Sequence, residues 1–445
     1  MMLESVLRAS RAATRGLATP AASATSAPTP APSPIALDFT RLPARGPNPV
    51  ACLPACSPFG ATPLNRTSLD GAAARWRDQS IACLETSGPA SGATHHAQIL
   101  ANERTELTAE AEELRTARRR PSEYRSDLVH VCERKRREIE LEYQYNVIFA
   151  NDNPRRRWHT YDLDHADRGL AAIPPEMTWG NPVVMTFRRG SIHPTSPGVG
   201  GETDARNLAA TGAASIEIFD AGLAPGRFGW AAAVGPERPL HTFRHEVGHV
   251  IEEQIPRAAR NELWSTLMDW REFPWAWISA PNAPGTPSEW IERRNEVKRL
   301  TGLSDDAAYD AWLAALTEGV LVDVNGRPWA RQTHSSSPFL ITWRNGAIPR
   351  IREFQYARTG QQDYFAEVYT YAVSQPDWLH DVLPPDQIIW FKRNVFHVPA
   401  TETEWATQLA TTRPVSPAAF ARLMRTFTWT QAQPVIRAAM LEHVA

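Results

Sequence analysis

The sequence predicts an α+β fold in which a helical module precedes a mixed domain of strands and helices. Three observations lead there. Helix formers crowd the stretch from His96 to about Ile148. Two short apolar runs bounded by Pro and Gly, Pro182–Phe187 and Ala214–Phe219, have the length and composition of strands. Behind them, Leu240–Ile255 repeats apolar residues at helical spacing. The 445 residues suffice for two or three domains with at least one sizeable core, and 42% hydrophobic with 22% charged residues is ordinary globular composition. A net charge of −2 argues against a chain built mainly to bind nucleic acid. No run of about 18 apolar residues occurs, so no transmembrane helix is expected.

Residues 1–65 read as a disordered leader. Ala18–Pro34 consists of Ala, Thr, Pro and Ser, too little apolar surface to offset chain entropy. Arg8, Arg11 and Arg15 face a lone acid, Glu4, in the first twenty residues, and no Sec-type apolar core follows. Two addresses fit, a mitochondrial transit peptide and the Ser/Thr/Pro-rich leader of a bacterial effector injected into a host cell, and plain disorder with no address is the third reading. Four cysteines, Cys52, Cys56, Cys83 and Cys132, are too few for a disulfide scaffold and suit a reducing compartment, or export to one. Cys52 and Cys56 have no second pair at zinc-finger spacing.

Residues 66–170 form the expected helical module. Pro121 should separate two helices, because it removes a donor and clashes with the preceding turn. Ser122 is a candidate cap for the second, whose apolar stripe is Tyr124, Leu128, Val131 and Cys132. Glu133 and Arg137 stand at i,i+4. Arg118-Arg119-Arg120 reads as a solvated helix end rather than a site for an anionic partner.

The stretch that carries chemistry is LHTFRHEVGHVIEEQI, with His245-Glu246-Val247-Gly248-His249 as an H-E-x-x-H. On a helix, positions i and i+4 share a face one turn apart, so two imidazoles can grip one Zn2+. Glu246 then stands beside the ion, placed to take a proton from zinc-bound water and pass it to a leaving amine. Phe243, Val247, Val250 and Ile251 supply the buried stripe of that helix. Gly248 costs about 1 kcal/mol of helix stability, tolerable where another element must come close. A chance H-E-x-x-H is expected only about 0.02 times in a chain with this many histidines. His241, one turn earlier on the same face, reads as a surface histidine rather than a fourth nitrogen at the metal.

Zinc needs a third protein ligand and an open fourth position. Val250–Pro256 exclude the three-histidine extension, so the ligand must be a later carboxylate. Tyr356–Tyr371 (YARTGQQDYFAEVYTY) offers Asp363 and Glu367 at i,i+4 on an expected helix. One carboxylate can ligate while the other orients a ligand histidine. Tyr356, just before that helix, can aim a phenol at an oxyanion.

HEVGH followed by Tyr-x6-Asp-x3-Glu resembles the catalytic domain of anthrax lethal factor and its relatives, among them the Pro-Pro endopeptidases. That family pairs HExGH with a pattern like Y-x-R-T-x3-E-[FY]-F-A-E. The resemblance covers two short motifs. It implies a zincin-like metalloprotease domain in which His245, His249 and Asp363 hold zinc. Glu246 is then the general base, Tyr356 the oxyanion tyrosine and Glu367 the acid behind the ligands. Two departures stand out. Asp replaces the usual Glu at 363, so either Asp363 ligates or Glu367 does so instead; the register of Tyr356 and Arg358 favours Asp363. More than one hundred residues separate the motifs, and that stretch is Trp-rich.

The domain plan is therefore a leader (1–65), a helical module (66–170), a zincin-like domain (171–400) with a Trp-rich helical insertion at about 258–350, and C-terminal helices (401–445). In zincins an edge strand before the zinc helix pairs with extended substrate, and Ser215–Asp220 is either that edge or an ordinary internal strand. Gly198-Val-Gly-Gly lacks the Lys of a phosphate loop, and His380 with Asp381 is a weak alternative pair. The expected function is a zinc endopeptidase, a secreted bacterial effector or toxin cleaving a host protein. A degenerate zincin scaffold acting as an interaction module is the alternative.

Overall fold

The computed structural model describes residues 51–397 apart from the segments 88–94, 227–233, 280–286 and 333–337 and a few shorter gaps. The leader up to residue 50 and the expected C-terminal helices lie outside the described residues. The chain divides into two units, residues 51–255 with Phe365–Leu379, and Pro256–Tyr364 with the stretch from His380. Mixed helices and small sheets make the fold α+β.

The first unit begins earlier than the composition suggests. Residues 51–65 include a helical turn, α1 (Pro58–Ala61), with Leu53 and Phe59 buried. Three helices follow: α2 (Arg66–Thr86), α3 (His96–Thr116) and α4 (Pro121–Tyr145). Asn65 caps α2 by accepting from the Ser68 amide. Pro121 separates α3 from α4 as its spacing predicts, but it is the first residue of α4, and Arg120 rather than Ser122 is the cap. Arg137 pairs with Glu140, Asp164 and Asp167 rather than with Glu133. Arg119 and Arg120 pair with Asp127 and Glu123.

All four cysteines are paired, as Cys52–Cys83 and Cys56–Cys132, where the sequence predicts no disulfide scaffold, and the pairing removes Cys52 and Cys56 as zinc ligands. Spacing along the chain concealed the pairs because α2 and α4 meet residues 52–56 only in the folded core.

A buried ionic cluster ties α3 to α4. Lys135 Nζ, fully buried, donates to Glu103 and Glu106 at 2.7 and 2.8 Å and lies 2.7 Å from Glu138. Arg134 bridges Glu110 and Glu138. Glu106 also accepts the Asn151 amide and Glu142 the Phe149 amide, so the cluster anchors the chain after α4. Carboxylates outnumber cations here. Burial, opposed by Lys135 and helped by Glu106 and Glu138, pushes the Glu103 carboxyl up to about 8.

The sheet of this unit has the order β1-β2-β4-β3, from Ile148–Ala150, Val184–Arg189, Ala213–Ile218 and Gly201–Asp204. β1, β2 and β4 are parallel, and β3 runs antiparallel to β4. The candidate edge at Ser215–Asp220 is thus internal, with partners on both sides, and β3 ends the sheet. α5 (Thr160–Leu170) and α6 (Arg238–Gln254) pack together: a Cβ at Gly169 would meet Phe243 Cβ at 3.0 Å. Phe149, Trp158, Phe187 and Phe243 interlock at ring separations of 5.3 to 6.1 Å, seating α6 against β1 and β2. Phe243, Val247 and Val250 are fully buried, about 1.5–3 kcal/mol each. Pro239 opens α6 and Pro256 follows its end.

The second unit corrects the expectation of a purely helical insertion. Strands β5 (Arg271–Pro274), β6 (Val322–Val324), β7 (Arg327–Gln332) and β8 (Phe339–Thr342) form an antiparallel sheet in the order β5-β8-β7-β6, accompanied by α7 (Pro287–Thr301) and α8 (Asp306–Thr317). Asn325 and Gly326, at φ 53° and 74°, make the two-residue turn between β6 and β7. Trp264, Trp270, Trp275, Trp312, Trp329 and Trp343 are buried, so these six serve packing. α9 (Gln361–Ser374), α10 (Pro376–Val382) and α11 (Pro385–Asn394) follow, and the division between the units falls inside α9.

Two outcomes follow. Removing the Cys56–Cys132 bond, which closes a 76-residue separation, with paired Ala substitutions should cost about 2–4 kcal/mol, read from urea midpoints. The protons that Glu103 keeps in the folded chain are released by the unfolded chain above its ordinary value. Folded stability should therefore fall as pH rises from about 5 toward 8, and Glu103→Gln should flatten that fall in urea midpoints taken at both ends.

Candidate metal centre

α6 carries His241, His245 and His249 at successive turns of one face. The His245 and His249 ring centroids lie 4.8 Å apart, and those of His241 and His245 lie 6.1 Å apart. Gly248 permits the approach of α9: a Cβ there would meet Ala366 Cα at 3.0 Å and the Tyr369 ring at 3.1 Å. This is the close contact its helix cost implies. Phe365, Val368 and Tyr369 are fully buried beside it, and they set Glu367 against the histidines.

Glu367 is fully buried. Its Oε1 lies 3.0 Å from Nε2 of His241 and 3.0 Å from Nδ1 of His245. Burial alone drives this carboxyl up, but the two imidazoles hold it down at about 2. An ionised carboxylate only accepts, so His241 Nε2 donates to it. A proton on Nδ1 of His245, the nitrogen that faces the acid, would leave Nε2 with its lone pair. Burial pushes His249 well below its ordinary value; His245 adds to the effect and Glu367 opposes it. A neutral imidazole is the form that ligates a metal. The donor set thus fits a borderline cation such as Zn2+.

His241 departs from its surface reading: it is buried, with the Tyr371 ring 5.5 Å away edge-on. His241, His245 and Glu367 each offer an atom within 4.8 Å of the others, as do Glu103, Glu106 and Glu138 in the helical module. In the second group the Lys135 ammonium already supplies the positive charge.

Glu246, also buried, faces β3. Thr203 Oγ1 donates to its Oε2 at 2.7 Å and lies 3.1 Å from its carbonyl oxygen. A Cβ on Gly201 would stand 2.5 Å from Glu246 Oε1 and 2.7 Å from Cγ. The edge strand is therefore fitted around this side chain. Neither Thr203 nor Gly201 had a signal in the sequence, because Gly-Glu-Thr-Asp shows no apolar alternation.

Tyr356 and Asp363 belong to the other unit. Tyr356 stands in a 3-10 turn, Tyr356–Arg358, and is half-buried. Thr359 Oγ1 lies 2.6 Å from the Tyr356 carbonyl oxygen and 2.6 Å from Asp363 Oδ2, which joins the turn to the start of α9. Along α9, Asp363 precedes Glu367 by one turn on the same face. His380 Nε2 lies 3.1 Å from Lys392 Nζ.

No family model, no curated protein and no solved structure matches this chain.

Gly201→Ala should cost about 1–3 kcal/mol by overpacking against Glu246. Gly198→Ala, whose Cβ would have no neighbour within 4 Å, should change stability by less than about 0.5 kcal/mol. Thermal melting of the two variants checks the contrast.

Proposed function

We propose that this protein is a zinc-dependent endopeptidase with a zincin-like catalytic domain, similar in its site to the lethal factor and Pro-Pro endopeptidase family. His245, His249 and Asp363 are its metal ligands. The observation that carries the reading is the buried Glu367 carboxylate, 3.0 Å from Nδ1 of His245, where a proton on Nδ1 would leave Nε2 as the ligating nitrogen. The neutrality of His249 and the position of Asp363 one turn before Glu367 support it.

A bound zinc ion would polarise the scissile carbonyl and acidify water at the site. The chain's own residues do the rest. Glu246 accepts the proton of the attacking water and returns it to the departing amide nitrogen, which keeps the proton count balanced. Thr203 holds the Glu246 carboxylate through Oε2. β3, at the end of its sheet, offers backbone groups to an extended peptide. Tyr356 donates its phenolic proton toward the developing oxyanion. The Arg-containing, Ser/Thr/Pro-rich leader and the secreted relatives of the resembled family favour a bacterial effector or toxin that cleaves a host protein. The same leader suits a mitochondrial address. No described helix is long and apolar enough to cross a membrane.

One feature favours a second reading, a degenerate scaffold that binds partners without cutting them: Asp363 is one methylene shorter than the family's Glu. Full-length protein and its Glu246→Gln variant, loaded with zinc and incubated with a peptide library read by mass spectrometry, separate the two. A protease holds one equivalent of zinc in both forms and loses about 10²–10⁴ of its cleavage rate in the variant. Identical behaviour of both forms supports the scaffold, and absence of stoichiometric zinc in the wild type ends the metal reading.

A further inference from the structure

We infer that His241 is a positioning residue of the metal centre, which fixes the Glu367 carboxylate so that it can orient His245. The inference rests on the metal reading above and extends it by a residue outside the H-E-x-x-H.

The geometry is specific. One oxygen, Glu367 Oε1, stands 3.0 Å from both His241 Nε2 and His245 Nδ1. A carboxylate with a single N–H partner can turn about its last torsion and let that partner's ring swing with it. The hydrogen bond from His241, one helical turn before His245, removes that freedom and holds the oxygen that His245 Nδ1 faces at 3.0 Å. His241 is itself held, buried under the edge of Tyr371. Tyr371 comes from the same helix as Glu367, one turn further on. The histidine is thus clamped between the helix that carries it and the helix it braces.

A histidine serving only to fill space would not need a nitrogen at the acid, and any side chain of its volume would replace it. A histidine acting through Glu367 is replaceable only by a group that presents N–H at the same place. Gln reaches the position of Nε2, whereas Leu fills the space without a donor. Buried partners that orient a ligand histidine are worth about ten- to hundredfold in metal affinity.

The experiment uses the full-length chain. Zinc dissociation constants are measured by competition with a chromophoric chelator, and the Co2+-loaded forms are compared by visible absorption. His241→Leu should weaken zinc by about ten- to hundredfold and shift the Co2+ bands, while His241→Gln should stay within about threefold of wild type with its bands in place. In a Glu367→Gln background, His241→Leu should add less than about threefold, because the two residues act as one unit. Melting of the chelator-treated chains reports folding; if His241→Leu does not fold, His241→Asn, too short to reach the acid, takes its place. The proposal is overturned if His241→Leu binds zinc like the wild type, or if His241→Gln is as weak as His241→Leu in folded protein. It is also overturned if zinc is lost with His241 but kept in His249→Ala, which would make His241 itself a ligand. A wild type that takes up no zinc, or uptake unaffected by His245→Ala, instead sinks the metal reading on which the proposal stands.

Discussion

One carboxylate oxygen, Glu367 Oε1, is the point on which the candidate site turns. It is removed from water and faced by two imidazole nitrogens at equal distance. A buried charge of this kind is costly unless it is fully paired, so the acid fixes where the helix of His245 can lie against the helix that carries the acid. The same oxygen faces Nδ1 of His245, the nitrogen on which a proton would leave Nε2 to ligate. Packing and chemistry are joined in that atom, since any shift of one helix along the other would strand the charge.

Around it, close approach is made possible by missing side chains. Gly169 admits α5 to the flank of α6, Gly248 admits α9 to its face, and Gly201 lets the edge strand pass beside Glu246. Each lies where a methyl group would meet atoms 2.5 to 3.0 Å away. The histidine helix is therefore surrounded on several sides by elements that touch it at backbone range. Such packing holds side-chain rotamers tightly, which is what a site needs if its groups are to be in place before a substrate arrives.

How much of this could be read from the chain varies by kind of residue. The strands at Val184–Arg189 and Ala213–Ile218, the helix break at Pro121 and the amphipathic helix around His245 follow from periodicity and local stereochemistry, and they stand in the structure within a few residues. The approach to Gly248 was legible too, because a glycine inside a strong helix calls for a reason. His241 was misjudged although it shares the four-residue spacing of the other two histidines; spacing names a face but does not say which face is covered. The edge strand was misplaced because Gly201–Asp204 is polar and is recognised only by its partner. The sheet of the second unit went unseen, though Asn325-Gly326 is a strong hairpin signal. The disulfides escaped because pairing depends on which helices meet, a property of the tertiary fold.

The crosslinks at the beginning of the described chain also redirect mechanical load. A pull transmitted along the backbone from Cys56 reaches Cys132 through sulfur, so the intervening helices carry none of it. At about 3.3–3.6 Å per extended residue, the 76-residue separation hides slack on the order of 250 Å. While the bond stands, the module resists being drawn out as a single thread. Once both disulfides are reduced, that length becomes available to any machine that hauls the polypeptide through a narrow opening.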